Sequence, residues 1–207
     1  MNKSVIVAAT LAGFAFTGLA QEATETSEPS GSSFYAKFDF GAAFQENIDA
    51  DFLGFTGDLE TDTGIRFTVA GGLPLDETLA LELESGFSLN TFDAFGGVPL
   101  PSSTEYNLLQ IPLLVNAVFT LPTDGPLKPY AGVGAGGIIV AVTGDESDSH
   151  ITYAWQVQAG VNYQFTDDLQ AGVGYKLLGA GEAEWDGFMT LDSVLTHAVF
   201  ASIRLDF

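Results

Sequence analysis

One tripeptide in this sequence has the residue types of a Ser-His-Asp catalytic triad. Asp148, Ser149 and His150 follow one another, with Asp145 three positions earlier. Serine nucleophiles need a base held against the hydroxyl and a third group that orients the base. Neighbouring residues of a loop rarely meet in that geometry, and the chain contains only two histidines. We therefore expect no enzymatic activity.

Acidic residues offer a second chemistry, the binding of a hard divalent cation. Residues 47–51 read Asn-Ile-Asp-Ala-Asp, which places oxygen ligands at alternate positions as a calcium loop does. Such a loop needs glycine at its sharp turn, where this chain has Phe52. The sequence favours a solvated acidic surface, so no metal or cofactor is predicted.

A third group of charged residues alternates with apolar residues along the chain. This period of two is typical of a strand with one polar and one apolar face. Four of the five basic residues after residue 33 lie on such polar faces; the exception is Lys128. We predict an interior network of paired charges formed by Lys37, Asp39, Arg66, Glu82, Glu84, Lys176, Arg204 and Asp206.

Eight alternating segments must position these charges. The clearest are 152–165, where Tyr153 and Trp155 alternate with Gln156 and Gln158, and the last thirteen residues, which end on Phe207. Segment 79–89 also has the Leu-Glu content of a helix, but its alternation favours a strand. Pro112 cannot donate a ladder hydrogen bond, so we expect a bulge or local distortion there. The predicted strands are 34–44, 63–73, 79–89, 106–119, 128–142, 152–165, 169–178 and 195–207.

The connections between these strands alternate in length. Short turns are predicted at 74–78, 121–127 and 166–168, and longer loops at 45–62, 90–105, 143–151 and 179–194. Short turns at one end and long loops at the other are the rule for transmembrane barrels. In lipid every strand must pair, so the sheet has to close. The sequence predicts an all-β, eight-stranded, antiparallel up-and-down transmembrane β-barrel.

The first residues predict export from the cytoplasm. Lys3 precedes a short apolar stretch at 5–16, and small residues at 18–20 suit a signal peptidase. We expect a cleaved signal peptide at 1–20, a polar disordered leader at 21–33 and the barrel domain at 34–207. The chain has no cysteine, and its net charge of −21 excludes nucleic acid as a partner.

Several segments resemble the small bacterial outer-membrane β-barrel domain family that includes opacity-type and porin-like proteins. They are residues 109–114 (LQIPLL), 128–136 (KPYAGVGAG), 159–163 (AGVNY), 169–176 (LQAGVGYK) and the ending 204–207. The resemblance implies an outer-membrane location, lipid contact, short periplasmic turns and longer extracellular loops. It also implies that the strand ending on Phe207 is a C-terminal signal for the barrel-assembly machinery. The resemblance implies no single activity.

Three functions remain open on the sequence. The first is a non-enzymatic envelope-structural or surface-interaction role, in which an extracellular ligand meets acidic loops containing Phe52, Phe55, Phe92 and Phe95. The second is a small porin or carrier for small or apolar solutes, with the interior charges lining a gated pore. The third is a soluble ligand-binding barrel, which the polar faces opposite the aromatic residues disfavour. We expect His197 to be an interfacial side chain.

Overall fold

Strands make up nearly all of the described chain. The computed structural model describes residues 34–52, 55–100, 106–143, 148–185 and 189–207, without the side chains of residues 51, 52, 55, 143, 148, 183–185 and 189–191. The predicted signal peptide and leader lie outside these ranges. No helix in the described ranges is long and apolar enough to cross a membrane.

Eight of the thirteen strands of the described residues are long. They are β1 (Tyr35–Gln45), β4 (Gly64–Pro74), β5 (Leu79–Phe95), β7 (Asn107–Thr120), β8 (Leu127–Thr143), β9 (Asp148–Gln164), β10 (Leu169–Ala180) and β13 (Val194–Asp206). The five short strands are β2 (Ile48–Phe52), β3 (Phe55–Thr61), β6 (Val98–Pro99), β11 (Ala183–Trp185) and β12 (Met189–Leu191). The segment 79–89 lies within β5, so the helical alternative is wrong.

The eight long strands close into a ring. Each pairs antiparallel with its neighbours in chain order, and β1 pairs with both β4 and β13. The connections β4–β5, β7–β8 and β9–β10 are short and lie at one end of the ring, beside Tyr35 and Asp206. The prediction of an eight-stranded up-and-down barrel is confirmed.

Apolar side chains cover the outside of this barrel, with Phe40, Val133 and Val199 each more than half exposed. Sixteen polar or charged residues of the described chain are buried, mainly inside the ring. The eleven residues of β1, at about 3.3 Å per residue and a tilt of about 40°, span about 28 Å. That height matches the hydrocarbon core of a bilayer, about 30 Å. The barrel therefore has the dimensions and the surface of a membrane-spanning one.

Four neighbouring strands of the wall are interrupted at the same height, near the long-loop end. The interruptions fall at residues 46–47, 62–63, 181–182 and 192–193, after which β2, β3, β11 and β12 continue the wall. Ala43 pairs with Gly64 below the interruption and Ile48 with Leu59 above it, so the register is unchanged. On the opposite side, β5, β8 and β9 run unbroken for 17 residues each.

The predicted long loops are therefore partly wrong, because their residues form strands that extend the wall beyond the membrane. Inside the barrel an apolar cluster, here called the apolar cap, runs from this extension down past the interruptions to Leu114, which pairs with Glu84. Its formation removes apolar side chains from water and so stabilises the extra strands. The apolar cap consists of Ile48, Ala50, Leu59, Phe92, Leu108, Leu114, Ile138, Val140, Ala154, Leu178, Ala180 and Val194.

The structure also tests two smaller predictions, at Pro112 and at Phe92. At Pro112 the pairing between β5 and β7 is interrupted between Ser85–Leu113 and Ser88–Gln110, but the register is the same on both sides. This is a local distortion without a bulge, and Ser85 Oγ donates to the carbonyl of Pro112 at 2.9 Å. Phe92, predicted on a loop contact surface, is 7% exposed and belongs to the apolar cap, so that assignment is wrong.

Candidate functional site

Six charged side chains meet inside the membrane-spanning part of the barrel and are here called the charged layer. Alternation along β1, β4, β5 and β10 turns them inward, because successive side chains of a strand point to opposite faces. All are at most 4% exposed. With three cations and three carboxylates, this layer is electrically balanced. Its members are Lys37, Asp39, Arg66, Glu82, Glu84 and Lys176.

Lys176 occupies the centre of the charged layer. Its Nζ donates to Asp39 Oδ2 at 2.6 Å, to Glu84 Oε2 at 2.9 Å and to Thr68 Oγ1 at 3.1 Å. These three bonds use all three donors of the ammonium group. Lys176 thereby joins β10 to β1, β4 and β5 through the middle of the barrel.

The other two cations have mixed partners. Arg66 Nη2 donates to Gln156 Oε1 at 3.0 Å and lies 3.5 Å from Glu84 Oε1. Lys37 Nζ lies 3.7 Å from Asp39 Oδ2 and 4.9 Å from the centre of the Tyr130 ring. Carboxylates, Gln156 and an aromatic face thus replace part of the water that both cations lose on burial.

Neutral side chains that the sequence analysis did not include complete the network. Tyr35 donates to Glu82 Oε1 at 2.9 Å, and Gln156 Nε2 donates to Glu84 Oε2 at 3.2 Å. Asn116 Nδ2 also donates to Glu84 Oε2, at 3.1 Å. The signal for Gln156 and Asn116 was their position on polar strand faces. Tyr35 shares the face of Lys37 and Asp39, so alternation also placed it inside.

Arg204 and Asp206 do not join the charged layer. Nη2 of Arg204 lies 2.5 Å from Asp206 Oδ1, and both side chains are partly exposed at the short-turn end. The Arg204 guanidinium also stacks on the Tyr35 ring at 3.5 Å. The predicted interior charges therefore form one group of six and one separate pair.

The two remaining chemical motifs lie partly outside the described side chains. Ser149 and His150 are successive residues of β9, so alternation puts them on opposite faces of that strand. Asp49 lies in β2, where its carbonyl accepts a hydrogen bond from the backbone of Asp192 at 3.0 Å. Within the described ranges, no three His, Cys, Asp or Glu side chains form a group that could hold a metal ion.

The wall itself has a gap between positions 44–47 and positions 60–63, which are not paired with each other although Phe44 and Gln45 pair with β13 and Glu60 and Thr61 with β5. It separates the Ala43–Gly64 pair from the Ile48–Leu59 pair. From inside, Asn90 Nδ2 donates to the carbonyls of Ala43 and Asp62, each at 3.1 Å. A Cβ on Gly64 would lie 2.6 Å from this amide, so glycine leaves room for the bridge.

A closed eight-stranded barrel with an apolar outside and a charged inside belongs to the class of transmembrane β-barrels. The chain matches the outer membrane protein beta-barrel domain over residues 6–197, and it belongs to this family. The predictions of this family and of an outer-membrane barrel are confirmed. The short turns are therefore periplasmic and the extended end is extracellular.

Two solved structures show the same fold. Neisserial surface protein A superimposes with a TM-score of 0.60 at 20% identity, over 86% of this chain and 100% of that one. The outer membrane protein OprG from Pseudomonas aeruginosa gives 0.59 at 11% identity, over 86% and 96%. No curated protein matches the sequence.

Proposed function

We propose that this chain is a non-enzymatic outer-membrane protein that acts through its extracellular end. The observation that carries this proposal is the filled interior. The charged layer is buried, and the apolar cap lies above it with Leu108 and Val140 at 0% exposure. A barrel of eight strands has just enough width for its own side chains. A partner outside the cell therefore contacts the extracellular surface of the barrel.

That surface carries charge of one sign. The long connections predicted from the sequence, at 45–62, 90–105, 143–151 and 179–194, contain neither lysine nor arginine. Uniform negative potential attracts cations and accelerates their encounter with the surface. We propose that the partner presents a basic patch. The exposed acidic side chains at this end include Glu46, Asp49, Asp58, Asp62, Asp93, Glu182 and Asp192.

Binding of a fluorescent oligolysine to the full chain in lipid nanodiscs tests this proposal. The rim variant carries Asp49→Asn, Asp58→Asn, Asp62→Asn and Asp192→Asn. We expect it to bind at least about threefold more weakly than wild type at low salt, and the difference to shrink at high salt as screening increases.

A matched control neutralises four exposed acidic side chains of the periplasmic turns. It carries Glu77→Gln, Asp124→Asn, Asp167→Asn and Asp168→Asn, so its net charge changes equally. Nanodiscs expose both ends, and the control should keep wild-type binding if the extracellular end is the contact surface. Equal loss in both variants would leave only general charge attraction and refute the proposal.

The wall gap supports a second candidate, a carrier for small apolar solutes. Side-chain hydrogen bonds of Asn90 connect Ala43 with Asp62 there in place of a backbone ladder, and such a place is easier to open than a continuous ladder. Uptake of an alkane-like fluorescent probe into vesicles containing the chain measures this activity. Asn90→Ala should raise the uptake rate, whereas uptake equal to empty vesicles in both proteins would exclude a carrier.

We also propose that Phe207 is the C-terminal signal for the barrel-assembly machinery and that residues 1–20 are removed on export. The Phe207 ring is 72% exposed at the periplasmic end and lies 6.1 Å from that of Phe34. Phe207→Ala should lower the amount of heat-modifiable barrel in isolated outer membranes.

Mass spectrometry of the purified chain tests the cleavage, because the mass should lack the contribution of residues 1–20.

A further inference from the structure

A hydrogen-bonded polar cluster interrupts the apolar outer face of the barrel. Nε2 of His197 lies 3.0 Å from Glu46 Oε1, and its Nδ1 lies 2.5 Å from the Tyr175 hydroxyl. His197 belongs to β13 and Tyr175 to β10, and Glu46 is the first residue after β1. Because they lie beside the strand interruptions, the cluster sits where the acyl chains of the outer leaflet meet the headgroups.

An open apolar groove of about 640 Å³ begins directly below this cluster. Val199 follows His197 by two positions, and Val173 precedes Tyr175 by two, so these side chains share a face of their strands. The groove volume is within the range of about 300–1,000 Å³ that ligand sites occupy. Its lining includes Phe40, Ala42, Ile65, Val173, Val199 and Ala201.

The hydrogen bonds within the cluster decide which chemical group of a ligand it can bind. A carboxylate only accepts, so Nε2 of His197 carries the hydrogen bonded to Glu46. In a neutral imidazole Nδ1 then accepts, and the Tyr175 hydroxyl donates to it. What remains for a ligand is acceptor capacity on the Tyr175 oxygen and on the Glu46 carboxylate, whose side chain is 58% exposed.

We propose that the groove and the cluster form a binding site for one lipid of the outer leaflet. The acyl chain lies against the apolar lining, and hydrogen-bond donors of the headgroup, an ammonium or hydroxyl group, bind Glu46 and Tyr175. Headgroups without donors bind more weakly because they offer these acceptors no hydrogen bond. This assigns a ligand to the lipid-facing outer side of the barrel, which shares only Glu46 with the acidic extracellular surface.

Native mass spectrometry of the full chain, released from nanodiscs of defined composition, measures the retained lipid. The probes are phosphatidylethanolamine, lipid A and phosphatidylcholine, the last of which has no donor in its headgroup. We expect about a threefold to tenfold preference for either donor-bearing lipid over phosphatidylcholine, the ratio that one hydrogen bond of ordinary net strength supplies. The better retained of the two donor-bearing lipids identifies the source.

Variants separate the two parts of the site. Glu46→Gln should reduce the headgroup preference at least about threefold while leaving total lipid retention unchanged. Ala201→Trp fills the groove and should abolish retention, whereas Ala131→Trp, on the outer face of β8, should behave as wild type. Heat-modifiable gel mobility verifies that each variant is folded. Equal retention of all three lipids by wild type, or equal effects of the two tryptophans, would overturn the proposal.

Discussion

The ammonium nitrogen of Lys176 lies 2.6 Å from Oδ2 of Asp39, although 137 residues separate them in the chain. Lys176 is on β10 and Asp39 on β1, the two neighbours of the closing strand β13. This ion pair therefore crosses behind the strand that closes the ring. Removing either partner leaves a buried charge uncompensated.

Lys176→Met tests how much this ion pair contributes to the stability of the barrel. It leaves Asp39 and Glu84 without their shared cation, and we expect a loss of about 3–5 kcal/mol in the free energy of unfolding. Urea titration followed by heat-modifiable gel mobility measures it. The control, Lys128→Met, removes a lysine whose Nζ bonds a turn carbonyl at 2.8 Å, and should cost about 1 kcal/mol or less. Similar losses in both variants would contradict a special role for Lys176.

The apolar cap can be distinguished from the lipid-facing surface by one pair of leucines. Leu108 is 0% exposed in the cap, whereas Leu113, on the same strand, is 54% exposed on the outside. Leu108→Ala should destabilise the barrel by about 2–5 kcal/mol because it opens a cavity. Leu113→Ala should cost much less, since lipid fills the space. The same urea titration applies, and equal effects would mean that the cap is not a packed core.

The bridge across the wall gap predicts a local change in amide exchange. Asn90→Leu removes the donors to the carbonyls of Ala43 and Asp62, so hydrogen–deuterium exchange should accelerate around residues 44–47 and 60–63. The control Thr91→Val removes a side-chain bond to Asn107 where the β5–β7 ladder is present. It should leave exchange at the gap unchanged. Unaltered exchange in Asn90→Leu would show that the gap is held by other contacts.

The turn between β4 and β5 gives a pH dependence. Asp76 Oδ1 accepts hydrogen bonds from the Thr78 amide and hydroxyl and from the Leu79 amide, which lower the pKa of Asp76 below its usual 3.8. A lowered folded-state pKa adds stability above the unfolded-state pKa and loses it as the pH falls through the folded-state pKa. Wild type should therefore be more stable than Asp76→Asn at pH 7, by a difference that is smaller at pH 3 and is lost once the pH lies below the folded-state pKa. A difference independent of pH, in unfolding measured at both values, would contradict this account.

The membrane-spanning part of the fold could be predicted because each strand there has one face toward lipid and the other toward the polar interior. Val133 and Val157 face lipid, while Gln156 and Lys176 face the interior, and the alternation follows directly. The charges were assigned to the interior by the same rule. Which of them meet was not predictable, since the tilt of the strands decides that Lys176 reaches Asp39 and Glu84 while Arg204 stays with Asp206.

The extracellular extension could not be predicted by that rule, because the solvent outside the barrel changes at the membrane surface. Above the interface an apolar residue such as Ile48 or Leu59 is stable only inside the ring. Exposed acidic residues such as Asp49 and Asp58 then stand where lipid-facing residues would be expected, and the segments resemble loops. The cluster of Tyr175, His197 and Glu46 was hidden for a different reason, since it unites residues up to 151 positions apart.

The unequal lengths of the wall strands give the barrel two mechanically different halves. On one side β5, β8 and β9 are continuous from the periplasmic to the extracellular end. A force applied outside the cell is therefore transmitted along these strands into the bilayer. On the other side β1, β4, β10 and β13 stop at the headgroups, and the same force bends the junctions instead. A large molecule pulling on the extracellular end would tilt it toward or away from one fixed side of the membrane-embedded cylinder.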